Sequence, residues 1–251
     1  MPVPENRTHR LTRLRAGYRL LRWRELAVKP WRCPFCGITL LVRLRCDETG
    51  VRCMRCGAST VHLSLGRVLL RRVADLGARD ACELSARGPL VAFLRRQTRS
   101  LATSEYFADA RPGETRGGVR CEDVQQLTYA DAAFDLITHT EVLEHVPDDA
   151  RGLAELRRVM RPGGIMLFTV PLHGGEHTVE RARLCGMQIE HVRPPVYHTD
   201  PLRGGAGILA FRDYGSDILE RLRLAGFRAA TLEVKPELPW GFGRAVIVAQ
   251  V

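Results

Sequence analysis

CEDVQQLTYADAAFDLITHTEVLEHVPDDARGLAELRRVMRPGGIMLFTVP, residues 121–171, is the stretch that decides the fold. An apolar run over 133–138 predicts a strand, apolar residues at helical spacing over 148–160 predict a helix, and a second apolar run over 164–170 predicts another strand. Arg161, Pro162, Gly163 and Gly164 form a turn that stops the helix and starts the strand, because proline cannot continue a helix and glycine accepts the reversal. Strand, crossover helix and strand make the repeating unit of a parallel sheet.

The same alternation extends outward. Strands are predicted over 80–84, 100–105 and 118–122 with a helix over 89–97, then a helix over 215–225 and strands near 228–235 and 243–250. This pattern predicts a doubly wound α/β sheet. A short loop with Pro, Gly and Trp joins the last two strands, so they should form an antiparallel hairpin at one edge. Ligands of such sheets bind beyond the carboxyl ends of the strands, near the point where strand order reverses. Those ends are Glu83 to Gly88; Ser104, Glu105 and Tyr106; Glu122, Asp123 and Val124; and Thr138, His139, Thr140 and Glu141. A carboxylate about twenty positions past the first turn suits a ribose diol, and Glu105 lies 22 residues after Glu83.

With these residues in place, positions 78–250 resemble the class I S-adenosylmethionine-dependent methyltransferases, particularly the small-molecule type. The block at 121–171 carries the resemblance: an acidic residue, a short loop, FDL, a strand end, LEHV, a helix and the Pro-Gly-Gly turn. The resemblance implies a seven-stranded Rossmann-like sheet with a reversed last strand. It makes Asp123 the partner of the adenine amino group with Val124 beside the ring, Glu105 the ribose carboxylate, and His139 a neighbour of the methionine moiety. Glu83, Ser85, Gly88 and Thr138 complete the implied cofactor set. The first turn, CELSARGPL, departs from the family's acidic residue followed by G-x-G-x-G and keeps Glu83 and Gly88. S-adenosylmethionine has no pyrophosphate, so the turn must allow close backbone approach rather than cradle an anion.

Residues 172–212 form a long insertion after the fifth strand, and loops of that length are usually lids or binding loops. It holds His173, His177, His191, Tyr197 and His198. Methyl transfer is an in-line displacement that needs alignment and, for some acceptors, a base; His139, His173 and His198 are the candidates, His139 first. Glu141, Glu144 and His145 would share one face of a helical turn, where a magnesium ion would resemble the arrangement of some ubiquinone-biosynthesis O-methyltransferases.

Before this region lies Cys33-Pro34-Phe35-Cys36 and, sixteen residues on, Cys53-Met54-Arg55-Cys56. Two CxxC knuckles followed by glycines predict a four-thiolate zinc ribbon over 31–60, and a fully ligated ion holds structure rather than performing chemistry. Cys46 lacks a partner and His62 reads as a surface or packing residue. A helix over 61–77 should connect the ribbon to a methyltransferase domain over 78–251. Residues 1–30 read as a basic helical arm, with Leu11, Leu14, Tyr18 and Leu21 at helical spacing among arginines.

The charge of +10 is unevenly placed: residues 1–72 carry a net of +12 and the remainder −2. Only Lys29 and Lys235 are lysines, a bias toward arginine that needs no selection for nucleic acid. With 45% hydrophobic and 26% charged residues, disorder and fibre are excluded. No run is long and apolar enough for a membrane span or secretion signal, so a cytoplasmic protein is expected. The near-neutral larger domain favours a small-molecule or carbohydrate-like acceptor, methylated at oxygen or nitrogen. Two alternatives stay open: an RNA methyltransferase docking phosphates on the basic module, and a cofactor-free binding protein on the same fold.

Overall fold

The computed structural model describes residues 21–186, 188–199, 207–233 and 238–251. An antiparallel ribbon opens it: β1 (Ala27–Cys33), β2 (Gly37–Arg43) and β3 (Val51–Cys53). The expected helical arm falls mostly on residues 1–20, outside the described residues. Its last part is not helical, because Trp23–Glu25 is one 3-10 turn and β1 begins at Ala27. Val28, Lys29 and Pro30 pair with Val42, Leu41 and Leu40, so four residues assigned to the arm belong to the ribbon.

Helix α1 (Thr60–Arg72) follows and buries Leu63, Leu65, Val68 and Leu69. Those leucines share one apolar cluster with Phe35, Leu41 and Val51 of the ribbon and with Leu136, Ile165 and Leu167 of the large sheet. Gly66 permits this close approach: a Cβ there would lie 2.6 Å from the Phe35 ring. The ribbon is therefore fastened to the sheet through α1 by a common core.

The large sheet comprises β4 (Asp80–Glu83), β5 (Ser100–Glu105), β6 (Thr115–Arg116), β7 (Val119–Cys121), β8 (Phe134–Thr140), β9 (Met160–Thr169), β16 (Ala229–Glu233) and β17 (Val246–Gln250). Their order is β16-β17-β9-β8-β4-β5-β7-β6. The five strands from β9 through β8, β4 and β5 to β7 are parallel, whereas β17 is antiparallel to both β9 and β16. This is the expected α/β sheet with its terminal hairpin. It has eight strands rather than seven because the two residues of β6 fold back on β7. Helices α2 (Pro89–Gln97), α3 (Asp149–Val159) and α4 (Ile218–Leu224) fall where the apolar periodicity predicts them. The Arg161–Gly164 turn bulges out of β9 instead of preceding it, since the register jumps from Phe134↔Met160 to Leu136↔Ile165. Strand order reverses between β4 and β8, which opens a crevice at their carboxyl ends.

The insertion is built rather than irregular. It folds into three small antiparallel pairs: β10 (Val179–Glu180) with β15 (Arg212–Asp213), β11 (Ala182–Cys185) with β12 (Gln188–His191), and β13 (Tyr197–Thr199) with β14 (Gly207–Leu209). Arg212 fixes its base. This guanidinium is 3% exposed and donates to the carbonyls of Leu143 at 3.1 Å, Val146 at 2.5 Å and Pro147 at 2.7 Å. Glu180 balances it at 3.2 Å. Beside it the Tyr214 hydroxyl donates to Asp149 at 2.8 Å, and Arg221 meets the same carboxylate.

Removing one partner of such a network leaves buried acceptors without donors. Arg212→Ala should destabilise the protein by about 3 kcal/mol, read as a lower urea midpoint at unchanged slope.

Candidate active site

The crevice between β4 and β8 widens into a cavity of about 1280 Å³, walled by the strand-end turns on one side and the insertion on the other. Ser85, Gly88, Glu105, Asp123 and Val124 line it, as does His198. Gly88 caps α2 at φ +116, a conformation that side-chain-bearing residues rarely adopt. The turn before it is held from the neighbouring strand: Glu105 accepts the Ala86 N–H at 3.0 Å and the Ser85 hydroxyl at 3.4 Å. The single glycine of this turn is thus accompanied by a carboxylate that organises the rest. Asp123 accepts the Gln125 backbone N–H at 2.9 Å and its side-chain amide at 3.1 Å. Val124 packs above Gly152 of α3.

Four predicted site residues lie elsewhere. Glu83 and Thr138 sit beneath the cavity floor, where the Thr138 hydroxyl donates to the Glu83 carboxylate across β4 and β8. His139 is fully buried and stacks on Phe168 with ring centroids 4.6 Å apart. Side chains alternate along a strand, so Thr140 reaches the cavity and His139 does not. Neither His139 nitrogen has a hydrogen-bond partner among the described residues, and burial pushes its pKa down to about 3. Its ring is not part of the cavity lining. His173 is exposed and hydrogen-bonds within its own turn, to the His177 carbonyl at 2.9 Å and from the Gly175 N–H at 3.2 Å. Of the three predicted bases, His198 alone lines the cavity.

Other residues reach the site without a sequence signal. His62 of α1 lines the cavity wall beside Gly88 rather than the surface, its Nδ1 2.8 Å from the Ser59 hydroxyl. Burial, then Arg52, lowers its pKa to about 4. Arg244 also lines the cavity and bridges Glu48 of the ribbon region at 2.9 Å to Glu141 at 3.6 Å.

Glu141, Glu144 and His145 do not share a helical face. Glu141 stands at φ +53 and turns toward Arg244, while Leu143–His145 is a 3-10 turn that aims Glu144 at the insertion. The Glu144 carboxylate is fully buried, and neither oxygen has a hydrogen-bond partner among the described residues. Burial, reinforced by the nearby Glu141 charge, raises its pKa well above the usual range. His145 Nε2 and His198 Nδ1 each lie 3.7 Å from Glu144 Oε1.

At the ribbon end, the four sulfurs lie within 4.8 Å of one another, with Cys33 to Cys56 at 3.7 Å and Cys36 to Cys53 at 3.5 Å. Cys46 is exposed and outside this group.

Burial pushes the Glu83 carboxyl up to about 8. A group protonated in the folded state but ionised in the unfolded one stabilises the fold below its unfolded pKa and loses that contribution as pH rises through the folded value. Wild-type stability should therefore fall between about pH 4.5 and 8 relative to Glu83→Gln, by about 1–3 kcal/mol. Urea melts of both proteins across that range check it.

Residues 87–168 match the methyltransferase domain family. Over 147 residues the chain is 34% identical to a demethylmenaquinone methyltransferase of Thermobifida fusca, covering 51% of this chain and 61% of that protein. Over 50 residues it is 40% identical to a ubiquinone biosynthesis O-methyltransferase of Coxiella burnetii, covering 20% and 21%. The chain thus spans about three fifths and one fifth of the lengths of these relatives. Among solved structures it resembles an S-adenosylmethionine-dependent methyltransferase of Mesorhizobium loti, with TM-score 0.48, 14% identity, and 75% and 98% of the two chains covered. A second is the Burkholderia thailandensis 1,6-didemethyltoxoflavin-N1-methyltransferase with S-adenosylhomocysteine bound, with TM-score 0.45, 19% identity and 74% and 76% coverage. The matched residues 87–168 carry Gly88, Glu105, Asp123 and Val124 of the cavity wall, so the similarity to the methyltransferase domain family falls on this part of the cavity.

Proposed function

We propose that the protein is an S-adenosylmethionine-dependent methyltransferase acting on an oxygen or nitrogen of a small-molecule or carbohydrate-like acceptor. The observation that carries this reading is the meeting of Gly88, Glu105 and Asp123 around one cavity where strand order reverses, within the matched domain. The residues present fit the cofactor: Glu105 and Asp123 are carboxylates able to accept from ribose hydroxyls and the adenine amino group, and Val124 offers an apolar wall. Bound there, S-adenosylmethionine supplies an electrophilic sulfonium methyl. Leu184, Ile189, Ile208 and Phe211 of the insertion line the opposite side with apolar surface against which an acceptor can be oriented. Alignment of that kind supplies most of what a displacement needs.

The four ribbon thiols fit a zinc ion, since a tetrahedral site with sulfur at 2.3 Å places its sulfurs about 3.8 Å apart. Cys33, Cys36, Cys53 and Cys56 would hold it as a structural ion with no open position. The zinc would act on the active site indirectly, because His62 and Ser64 of α1 sit next to Gly88 and Arg244. Among the described residues no helix is long and apolar enough to cross a membrane.

Calorimetric titration tests the cofactor. Wild type should bind S-adenosylmethionine and S-adenosylhomocysteine in the micromolar range, with Asp123→Ala weakening both at least about tenfold. Absence of heat and of any thermal shift at millimolar ligand would overturn the reading, because a hundredfold excess over Kd stabilises by about 2.7 kcal/mol.

Zinc is tested separately by elemental analysis. Cys53→Ser should lose one equivalent of zinc and about 5 °C or more of melting temperature, with weaker cofactor binding through His62.

A further inference from the structure

We propose that the outer face of the ribbon is a docking surface for an anionic lipid bilayer. In an antiparallel pair, side chains alternate along each strand and directly opposed residues share a face. One face of β1 and β2 carries Cys33 and Leu41, both buried in the cluster shared with α1. The other carries Val28 opposite Val42, Pro30 opposite Leu40, and Arg32 opposite Ile38. This outer face lies open among the described residues: Ile38 is 84% exposed, and Val28, Pro30, Arg32 and Leu40 are exposed too. Met54, 61% exposed, extends it from the second knuckle, with its N–H on the Leu40 carbonyl at 3.0 Å. Trp23, 76% exposed, stands in the 3-10 turn before β1, and the Arg22 N–H ties that turn to the Leu44 carbonyl just past β2. Apolar residues scattered singly over a surface need no explanation, but a contiguous set on one sheet face marks an interaction site.

Charge decides what fits there. Arg22, Arg24, Lys29, Arg32 and Arg55 form no ion pair among the described residues, whereas the acids nearby are engaged. Asp47 pairs with Arg45, Glu48 pairs with Arg244, and Glu25 accepts the Cys46 N–H. Immediately before this region the sequence adds Arg7, Arg10, Arg13, Arg15 and Arg19 against Glu5. Because residues 73–251 sum to −2, the ribbon is the part of the chain that an anionic surface attracts.

Three occupants compete for a face that is both apolar and basic. A second copy of the chain would bring like charges together, which opposes pairing through this face. Single-stranded nucleic acid is held by aromatic platforms for its bases, and Val28, Ile38, Leu40 and Met54 offer no π-face. A bilayer uses everything present. Aliphatic groups and an indole enter the boundary between headgroups and acyl chains, while guanidiniums on long stems stay at the lipid phosphates. The depth reached is that of side chains alone, so the ribbon lies on the membrane and does not cross it.

The experiment sediments the full chain with vesicles of phosphatidylcholine alone or mixed with an equal part of phosphatidylglycerol, at low and high salt. Retention is expected on the mixed vesicles only, and it should weaken as salt screens the arginines. Ile38→Asp and Arg32→Glu, both at exposed positions, should each lower the partition coefficient at least about tenfold at an unchanged melting temperature. Leu224→Asp, which places the same new charge on an exposed leucine of α4, should partition as wild type. No retention on the mixed vesicles at low salt, or retention that Ile38→Asp and Arg32→Glu leave unchanged, would overturn the proposal. Binding of a fluorescein-labelled oligouridylate in place of the vesicles would overturn it in favour of RNA. A dimer in sedimentation velocity that Ile38→Asp dissociates would overturn it in favour of a second copy. None of these readouts involves the cavity or a cofactor, so the proposal stands apart from the methyltransferase reading.

Discussion

The guanidinium of Arg212 decides whether this cavity exists. The turn after β8 is one 3-10 turn, with the His145 N–H on the Val142 carbonyl at 3.0 Å and the Val146 N–H on the Leu143 carbonyl at 3.2 Å, and the carbonyls of Leu143, Val146 and Pro147 also take a side-chain donor. Arg212, brought in from β15 by the inserted segment, donates to all three. Such a charge is tolerated in a core only when its partners are fixed and complete, and Glu180 supplies the counter-charge. The Phe211 N–H meets the Glu144 carbonyl at 2.7 Å, one residue along. The insertion is thereby stitched to the turn that carries Glu144 and His145, and both walls of the cavity move as one unit.

A second constraint comes from the N-terminal side. A ribbon of three short strands has too little surface to hold itself together, so it borrows core from the sheet through α1. That loan fixes the geometry in the other direction. With Phe35 against Gly66, α1 has one seating, and this seating brings His62 to Gly88 and the Ser64 hydroxyl to within 3.0 Å of the Arg244 N–H. The ribbon is thus mechanically part of the cavity wall, even though its cysteines stand apart from it.

What could be read from the sequence follows from the range of the interaction behind each feature. The sheet was legible because Leu136, Ile137 and Ile165 to Phe168 repeat a local apolar pattern that burial on both faces demands, and helices α2 and α3 for the same reason. Glu105 could be singled out by its spacing after the first turn, and Asp123 by its place at a predicted strand end together with the family resemblance. For His139 the strand-end position does not say which face the side chain takes, and one step of alternation puts it against Phe168 rather than in the cavity lining. His62 and Arg244 were invisible because they arrive through tertiary packing of elements far apart in the chain. The small strands of the insertion are two to four residues long, too short to show a period, so they read as loop. Residues 22–30 misled in the opposite sense: their basic spacing continued a helical pattern, but pairing with β2 outweighed it.

The site also shows where the fold accepts unfavourable local structure. Glu141 adopts φ +53, which costs about 1 kcal/mol or more for a residue with a side chain, and it persists because its N–H donates to the Thr169 carbonyl at 3.0 Å. Three residues on comes Glu144, a buried acid whose carboxyl oxygens lack hydrogen-bond partners among the described residues, and Glu83 at the end of β4 is pushed toward the protonated form by burial. Three carboxyl groups in one poorly solvated region would repel if all were ionised. Burial pushes Glu83 and Glu144 toward the protonated form, and Glu141 faces Arg244. Around this point other polar groups are paired, in the Arg212 carbonyl set, the Glu105 turn and the Asp149 pair with Arg221. Two acids kept toward the neutral form by burial and one facing an arginine thus share this region without the repulsion that three charges would bring.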